Sequence, residues 1–181
     1  MPPLCGSSPA TGCRLAQHGA ASLKIKDYAD DTKDQFSWKW SKGDLTDVGA
    51  FMNPVNGSAT YRVCIYDASV NPQPLMEADV PPGGTCGIRP CWKATPTGFS
   101  YRNKAATPDG ITSLKLKAGA PGTAKVQVTG KGAPLQTPAL GLPLPVTVQL
   151  VIGDDVSTEC WQTTYTAAIV NDPSRFSANG P

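Results

Sequence analysis

The sequence is poor in the residues on which most catalytic sites depend. It contains a single histidine, His18, and only two glutamates, Glu77 and Glu159. It also has no Gly-x-Ser-x-Gly segment, no phosphate-binding loop and no dinucleotide-binding fingerprint. A hydrolase triad, an imidazole-rich copper or zinc centre and a pair of catalytic glutamates are therefore disfavoured. We expect a protein that is not an enzyme.

Long apolar runs and a strong charge imbalance are missing as well. No segment approaches the roughly 20 apolar residues that a membrane span requires, so we expect no membrane insertion. The formal net charge of +2 is too small to predict binding to nucleic acid. Residues 1–4 lack the basic and apolar regions of a signal peptide. We expect either that Met1 is an introduced start residue or that the chain is a fragment of a larger exported protein.

Turn-forming residues are abundant, and they indicate the fold class. The 181 residues include 18 glycines and 18 prolines, which favours short elements joined by turns over long helices. Stretches of alternating apolar and polar residues predict about ten strands, among them 21–27, 35–42, 60–67, 75–80, 92–95, 99–103, 111–117, 124–129, 145–152 and 158–167. We predict an all-β protein: a jelly-roll-like β-sandwich at 21–181, preceded by a loop segment at 1–20.

Five short segments of the first half recur in the same order in the second half. The clearest pair is Thr60–Asp67 and Thr147–Asp154, and the others pair Ser22–Lys26 with Ser113–Lys117, Trp38–Trp40 with Val126–Val128, Cys91-Trp92 with Cys160-Trp161, and Phe99-Ser100 with Phe176-Ser177. Each match is weak alone, because alternating strands resemble one another. Together they predict that the sandwich is built from two related halves, about 22–104 and 113–178.

Six cysteines in a chain of this composition favour disulfides over a metal site. Cys5 and Cys13 can close a small N-terminal loop, and Cys86 and Cys91 can close another. Cys64 and Cys160 then remain to bridge distant strands, with Cys64–Cys91 as the main alternative. We expect the bonds Cys5–Cys13, Cys86–Cys91 and Cys64–Cys160. Disulfides predict an oxidising compartment and therefore an extracellular or cell-surface location.

Aromatic side chains are the first candidates for a binding site, because exposed rings can stack on sugars. Trp38 and Trp40 correspond to valines in the second half, which indicates a place in the core. Four aromatics without such an indication are the predicted ligand-binding residues: Tyr28, Tyr66, Trp92 and Tyr101. Tyr66 is the strongest of them, because its counterpart in the second half is Gly153.

An acidic turn is the candidate metal site. Asp27, Asp30, Asp31 and Asp34 supply hard oxygen ligands of the kind that Ca²⁺ prefers. Their spacing lacks the regular Asx positions and the glycine of an EF-hand loop. An acidic turn that offsets neighbouring lysines is the alternative, and no other cofactor is predicted.

The chain resembles a module found near the C-termini of large exported proteins of Gram-negative environmental bacteria. The resemblance is carried by Ser22–Asp27, Ser37–Gly43, Cys64–Asp67, Pro82–Cys86, Pro90–Lys93, Thr107–Gly110 and Cys160-Trp161. It implies an extracellular accessory domain and assigns no site residue. We therefore expect a non-catalytic binding module whose ligand is a polysaccharide. A structural, adhesive or filament-forming module that contacts other protein copies is the alternative.

Overall fold

The computed structural model describes residues 4–180 and confirms an all-β fold. Strands make up 47% of the chain and helix only 4%. The strands are β1 (Arg14–Leu15), β2 (Ala21–Lys26), β3 (Gln35–Gly43), β4 (Thr60–Tyr66), β5 (Met76–Val80), β6 (Thr85–Cys86), β7 (Arg89–Pro90), β8 (Trp92–Thr95), β9 (Gly98–Arg102), β10 (Ile111–Lys117), β11 (Ala124–Lys131), β12 (Val146–Gly153), β13 (Thr158–Tyr165), β14 (Val170–Asp172) and β15 (Arg175–Asn179). Two 3-10 helices, Asp31–Lys33 and Val48–Phe51, lie in connections.

The strands form two large sheets. The first contains eight strands in the order β14-β15-β2-β3-β11-β10-β9-β8, and the second contains five in the order β1-β13-β12-β4-β5. All neighbours are antiparallel except β1 and β13. Strands β6 and β7 form a separate small hairpin.

The core lies between the two sheets and follows from the alternation within each strand. In β3 the apolar residues Phe36, Trp38 and Trp40 are buried, whereas the alternating Gln35, Ser37 and Lys39 are exposed. The buried side chains of β3 belong to the same cluster as those of β4 and β12 in the opposite sheet. The tryptophans of β3 are core residues, as their valine counterparts in β11 indicate.

Two groups of six strands occupy equivalent positions in the two sheets. Corresponding strands of the two groups follow one another in the same order from opposite edges of each sheet, with β1 set aside. One group is β2, β3, β4, β5, β8 and β9, and the other is β10 to β15. The groups meet at the register pairs Lys39–Gln127 in one sheet and Val63–Leu150 in the other. They are also intertwined, because β9 pairs with β10 and β15 pairs with β2.

One of the five sequence correspondences does not fit this arrangement. Trp92 lies in β8, which corresponds to β14 at the opposite edge of the eight-stranded sheet. Trp161 lies in β13 of the five-stranded sheet, which corresponds to β5. The recurring Cys-Trp pair is therefore not a structural repeat.

All six cysteines form disulfides, but two of the three predicted pairings are wrong. Cys86–Cys91 is confirmed, whereas Cys5 bonds to Cys64 and Cys13 bonds to Cys160. Cys64 and Cys160 lie on β4 and β13, which are separated by β12. Two strand spacings amount to about 9.6 Å, which exceeds the Cα separation that a disulfide spans. Each cysteine instead bonds to the N-terminal segment that crosses the outer face of this sheet.

That segment, residues 4–16, is the strap of the five-stranded sheet. Predicted as a loop, it contains the short strand β1. It covers the outer side of β12, whose inner side faces the core, and all eight β12 residues are buried. The amide of Gln149 fixes it by accepting from the backbone N–H of Ala10 at 3.0 Å and donating to its carbonyl at 2.8 Å. Residues 1–3, which bear on the expectation about Met1, lie outside the described part of the chain.

Candidate functional site

Three of the four predicted aromatic binding residues, Tyr66, Trp92 and Tyr101, are buried and present no exposed ring face on which a sugar could stack. Tyr66 is 3% exposed under the strap, where its hydroxyl donates to the carbonyl of Gly6 at 3.1 Å. Burial raises the pKa of Tyr66 to about 12. Trp92 and Tyr101 are each 2% exposed and pack against one another with ring centroids 5.2 Å apart. Tyr28 alone is partly open, at 40% exposure.

The carboxylates of the acidic turn make hydrogen bonds within the protein. Within residues 4–180 no group of three or more acidic, histidine or cysteine side chains is arranged to hold an ion. Asp30 caps the 3-10 helix that begins at Asp31, accepting from the backbone N–H of Thr32 at 3.2 Å and from its hydroxyl at 2.5 Å. These bonds, together with Lys33, lower the pKa of Asp30.

Two of the other three carboxylates of the turn, those of Asp27 and Asp34, also use protein donors. Asp34 accepts from the backbone N–H of Tyr28 at 2.8 Å, and the hydroxyl of Thr137 lies 3.3 Å from Asp27 and 3.4 Å from Asp34. These hydrogen bonds organise the turn, and calcium binding there stays a prediction.

The outer surfaces of the two sheets differ in accessibility. The strap occupies the outer face of the five-stranded sheet, where Cys5, Cys64, Tyr66, Val151 and Cys160 form a second buried cluster. Apart from Ser41, the outward positions of the eight-stranded sheet are exposed or half-buried along β2, β3, β10 and β11. Within residues 4–180, this is the broad sheet surface that a ligand can reach.

Lysine and arginine dominate this open surface, which we call the basic face. It carries ten cationic side chains at outward strand positions: Lys24, Lys26, Lys39, Lys93, Arg102, Lys115, Lys117, Lys125, Lys131 and Arg175. Asp172, opposite Arg175 on the edge strand β14, is the single acidic residue in the strands of this sheet. A chain with a net charge of +2 thus concentrates positive charge on one surface.

Among the described residues no carboxylate forms an ion pair with these cations, although Asp172 lies opposite Arg175 and the charge of Arg175 contributes to lowering the pKa of Asp172. Among residues 4–180, none of the ten side chains lies within 4.0 Å of a carboxylate oxygen. The five-stranded sheet is different, because Arg14 pairs with Glu159 and Arg62 pairs with Glu77 and Asp79. The hydrogen bonds that Arg62 donates to Asp79, together with the nearby acidic charges, raise the pKa of Arg62.

The register spaces the cations regularly across the sheet. One transverse row runs Ser177–Lys24–Ser37–Thr129–Ser113–Arg102, and the next runs Asn179–Ser22–Lys39–Gln127–Lys115–Ser100–Lys93. Strands lie about 4.8 Å apart, so Lys39 and Lys115 are separated by about 10 Å with Gln127 between them. Small hydroxyl and amide side chains fill the intervals.

Two shallow grooves flank the centre of the basic face. The larger, of about 600 Å³, is lined by five cationic residues and one acidic residue among others: Lys24, Lys26, Lys33, Lys131, Arg175 and Asp34. The smaller, of about 390 Å³, is lined by Arg102, Lys115, Lys117 and Lys125 among others. They lie on opposite sides of the Lys39–Gln127 pair, so each group of strands contributes to a groove of positive character.

The sequence analysis did not identify the surface that these lysines form. The signal is present in the sequence, because cations fall within predicted strands whereas most aspartates fall in turns. A net charge conceals such a separation. Recognising the basic face requires the strand order, which brings residues from β2 and β10 onto one surface.

Comparisons with known proteins yield no matching family model, no similar curated protein and no similar solved structure. Three disulfides are consistent with an oxidising, extracellular environment. In residues 4–180 the structure has no helix that is both long enough and apolar enough to span a membrane.

Proposed function

We propose that this protein is a non-catalytic extracellular binding module whose ligand is a polysaccharide. The observation that carries the proposal is the accessibility of the outer face of the eight-stranded sheet, while the strap occupies the corresponding face of the other sheet. An open sheet face lined with polar side chains can offer several strands at once to an extended polymer. The resemblance to accessory modules of exported proteins supports the same proposal.

Self-association is the alternative, and the sheet edges argue against it. On the edge strand β5 the backbone N–H of Asp79 donates to the side chain of Asp109 at 2.8 Å. That donor is therefore unavailable to a strand from another copy. Strand β8, at an edge of the eight-stranded sheet, carries Lys93 at an exposed position. Lysine on an edge strand opposes pairing between copies.

Polysaccharide binding and self-association can be separated in one set of measurements. We expect soluble polysaccharides to retard the protein in affinity electrophoresis, with mobility referenced to a polymer-free gel. We also expect light scattering to give the mass of one chain over a wide concentration range. Absence of retardation by every polysaccharide, combined with assembly that grows with concentration, would contradict the proposal.

A further inference from the structure

We propose that the basic face selects acidic polysaccharides, binding carboxylate or sulfate groups by charge and sugar hydroxyls by hydrogen bonds. This inference depends on the proposed function and specifies its ligand class and its site. The site is the outward surface of β2, β3, β10 and β11 with the two flanking grooves, centred on Lys39 and Gln127.

The charge argument rests on the absence, among the described residues, of ion pairs between the cations of the basic face and carboxylates of the protein. Two like-charged pairs, Lys26–Arg175 and Lys117–Lys125, lie directly opposite each other across neighbouring strands. Like charges in that relation destabilise a sheet, and an anionic ligand removes this repulsion. The positive field of several unpaired cations also raises the local concentration of a polyanion and its rate of association.

The aromatic residues argue against a neutral sugar as the main ligand. Stacking on a pyranose ring requires an exposed aromatic face, yet Trp38, Trp40, Trp92 and Trp161 are all buried. In residues 4–180, Tyr28 is the one exposed aromatic side chain, and it follows the end of β2 without an aromatic neighbour on the sheet. Affinity for a sugar polymer on this surface must come from charge and hydrogen bonds.

The same observation disfavours nucleic acid among the polyanions. Single strands bind to surfaces that combine positive charge with aromatic platforms for the bases, and the basic face has no exposed ring among the described residues. Between the cations it presents hydroxyl and amide groups: Ser37, Ser113, Thr129, Gln127 and Ser177. These groups can both donate to acidic oxygens and pair with sugar hydroxyls.

The test compares polymers that differ only in charge. Fluorescein-labelled polygalacturonate and its fully methyl-esterified form share one backbone, and binding is followed by anisotropy. We expect the acid form to bind and the neutral ester to bind at least about tenfold more weakly. Raising the ionic strength to about 0.15 M, where the Debye length is about 8 Å, should weaken binding of the acid form.

Two double variants locate the site. Lys39→Gln with Lys115→Gln removes two cations from the centre of the basic face, while Arg89→Gln with Lys104→Gln removes two exposed cations elsewhere. Both lower the net charge equally. We expect the first pair to weaken binding roughly 2- to 30-fold, as for two exposed ion pairs, and the second to leave it within about twofold. Equal unfolding midpoints show that both variants fold.

Each outcome decides a separate claim. Equal affinity for the acid and ester forms overturns the acidic selectivity and leaves polysaccharide binding intact. If the protein binds none of polygalacturonate, alginate and dextran sulfate, the inference is overturned, whether or not neutral polymers bind. If the neutral polymers also fail to bind, the proposed function is overturned. Single- or double-stranded DNA that binds more tightly than every polysaccharide overturns the choice of polymer. Equal losses in the two double variants overturn the site.

Discussion

The bond between Cys13 and Cys160 joins residues 147 positions apart and holds the strap on β13. While Cys5–Cys64 is intact, the Cys13–Cys160 bond closes a loop of about 100 residues that runs through both bonds. For a loop of that size the chain-entropy model gives a stabilisation of about 4.7 kcal/mol. The Cys86–Cys91 bond, with a separation of 5, gives about 2 kcal/mol in the same model. We therefore predict that losing Cys13–Cys160 is more than twice as costly as losing Cys86–Cys91.

The perturbation is replacement of both cysteines of a bond by alanine, so that no thiol remains free at the site. For a chain of this length each kcal/mol corresponds to about 2–4 °C in Tm. The Cys13→Ala, Cys160→Ala variant should melt about 10–19 °C below the parent protein. The Cys86→Ala, Cys91→Ala variant should melt about 4–8 °C below it.

Thermal and urea unfolding of the two variants measure this difference, and non-reducing peptide mapping verifies the remaining bonds. Cys13→Ala alone should leave Cys160 as the reactive thiol, whereas the pairing expected from the sequence would free Cys5. Recovery of Cys5 as the labelled residue would refute the connectivity. Equal Tm losses for the two double variants would refute the entropic account.

Two further perturbations test the core and the strap. In Gly43→Ala, the added Cβ would lie 1.8 Å from the Trp40 ring, so we predict a stability loss of about 1–3 kcal/mol or more in urea unfolding. Tyr66 has a pKa of about 12 when folded against an ordinary value of 10; the folded state therefore binds more protons across that window, and stability falls as pH rises through it. Between pH 10 and pH 12 the Tyr66→Phe variant should therefore lose roughly 2–3 kcal/mol less free energy of unfolding than the parent protein.

Matched controls accompany these variants. A Cβ at Gly49 would meet nothing within 4 Å and the residue has no positive φ, so Gly49→Ala should change stability by no more than about 0.5 kcal/mol. A similar loss at Gly43 and Gly49 would contradict the steric explanation. For Tyr66, the parent and variant curves should run parallel below pH 10, offset by the hydrogen bond to Gly6. Parallel curves up to pH 12 would show that Tyr66 does not titrate as stated.

The edge of the five-stranded sheet offers another test. Asp109→Ala removes the acceptor for the backbone N–H of Asp79, so we expect increased self-association at high concentration in light scattering. Asp155→Ala, at an exposed position without such a contact, has the same change in charge and should stay monomeric. Equal behaviour of the two variants would show that this contact does not protect the edge.

The sequence by itself determined the strands and their inward sides. The valine counterparts of Trp38 and Trp40 placed both tryptophans in the core correctly, and the alternation predicted the strands because period-2 patterning encodes which side of a strand is buried. The close spacing of Cys86 and Cys91 likewise sufficed for their bond. An oxidising compartment also followed from composition, and the three disulfides are consistent with it.

The tertiary structure decided what lies outside the core. Alternation cannot say which outer face another segment will cover, so the burial of Tyr66 under the strap and the partners of Cys5 and Cys13 were not predictable. Nor can it say which strands become neighbours. The basic face exists because β3 pairs with β11, which places lysines almost 90 residues apart in sequence on one surface. Strand order is set by long-range pairing, and a local pattern carries no information about it.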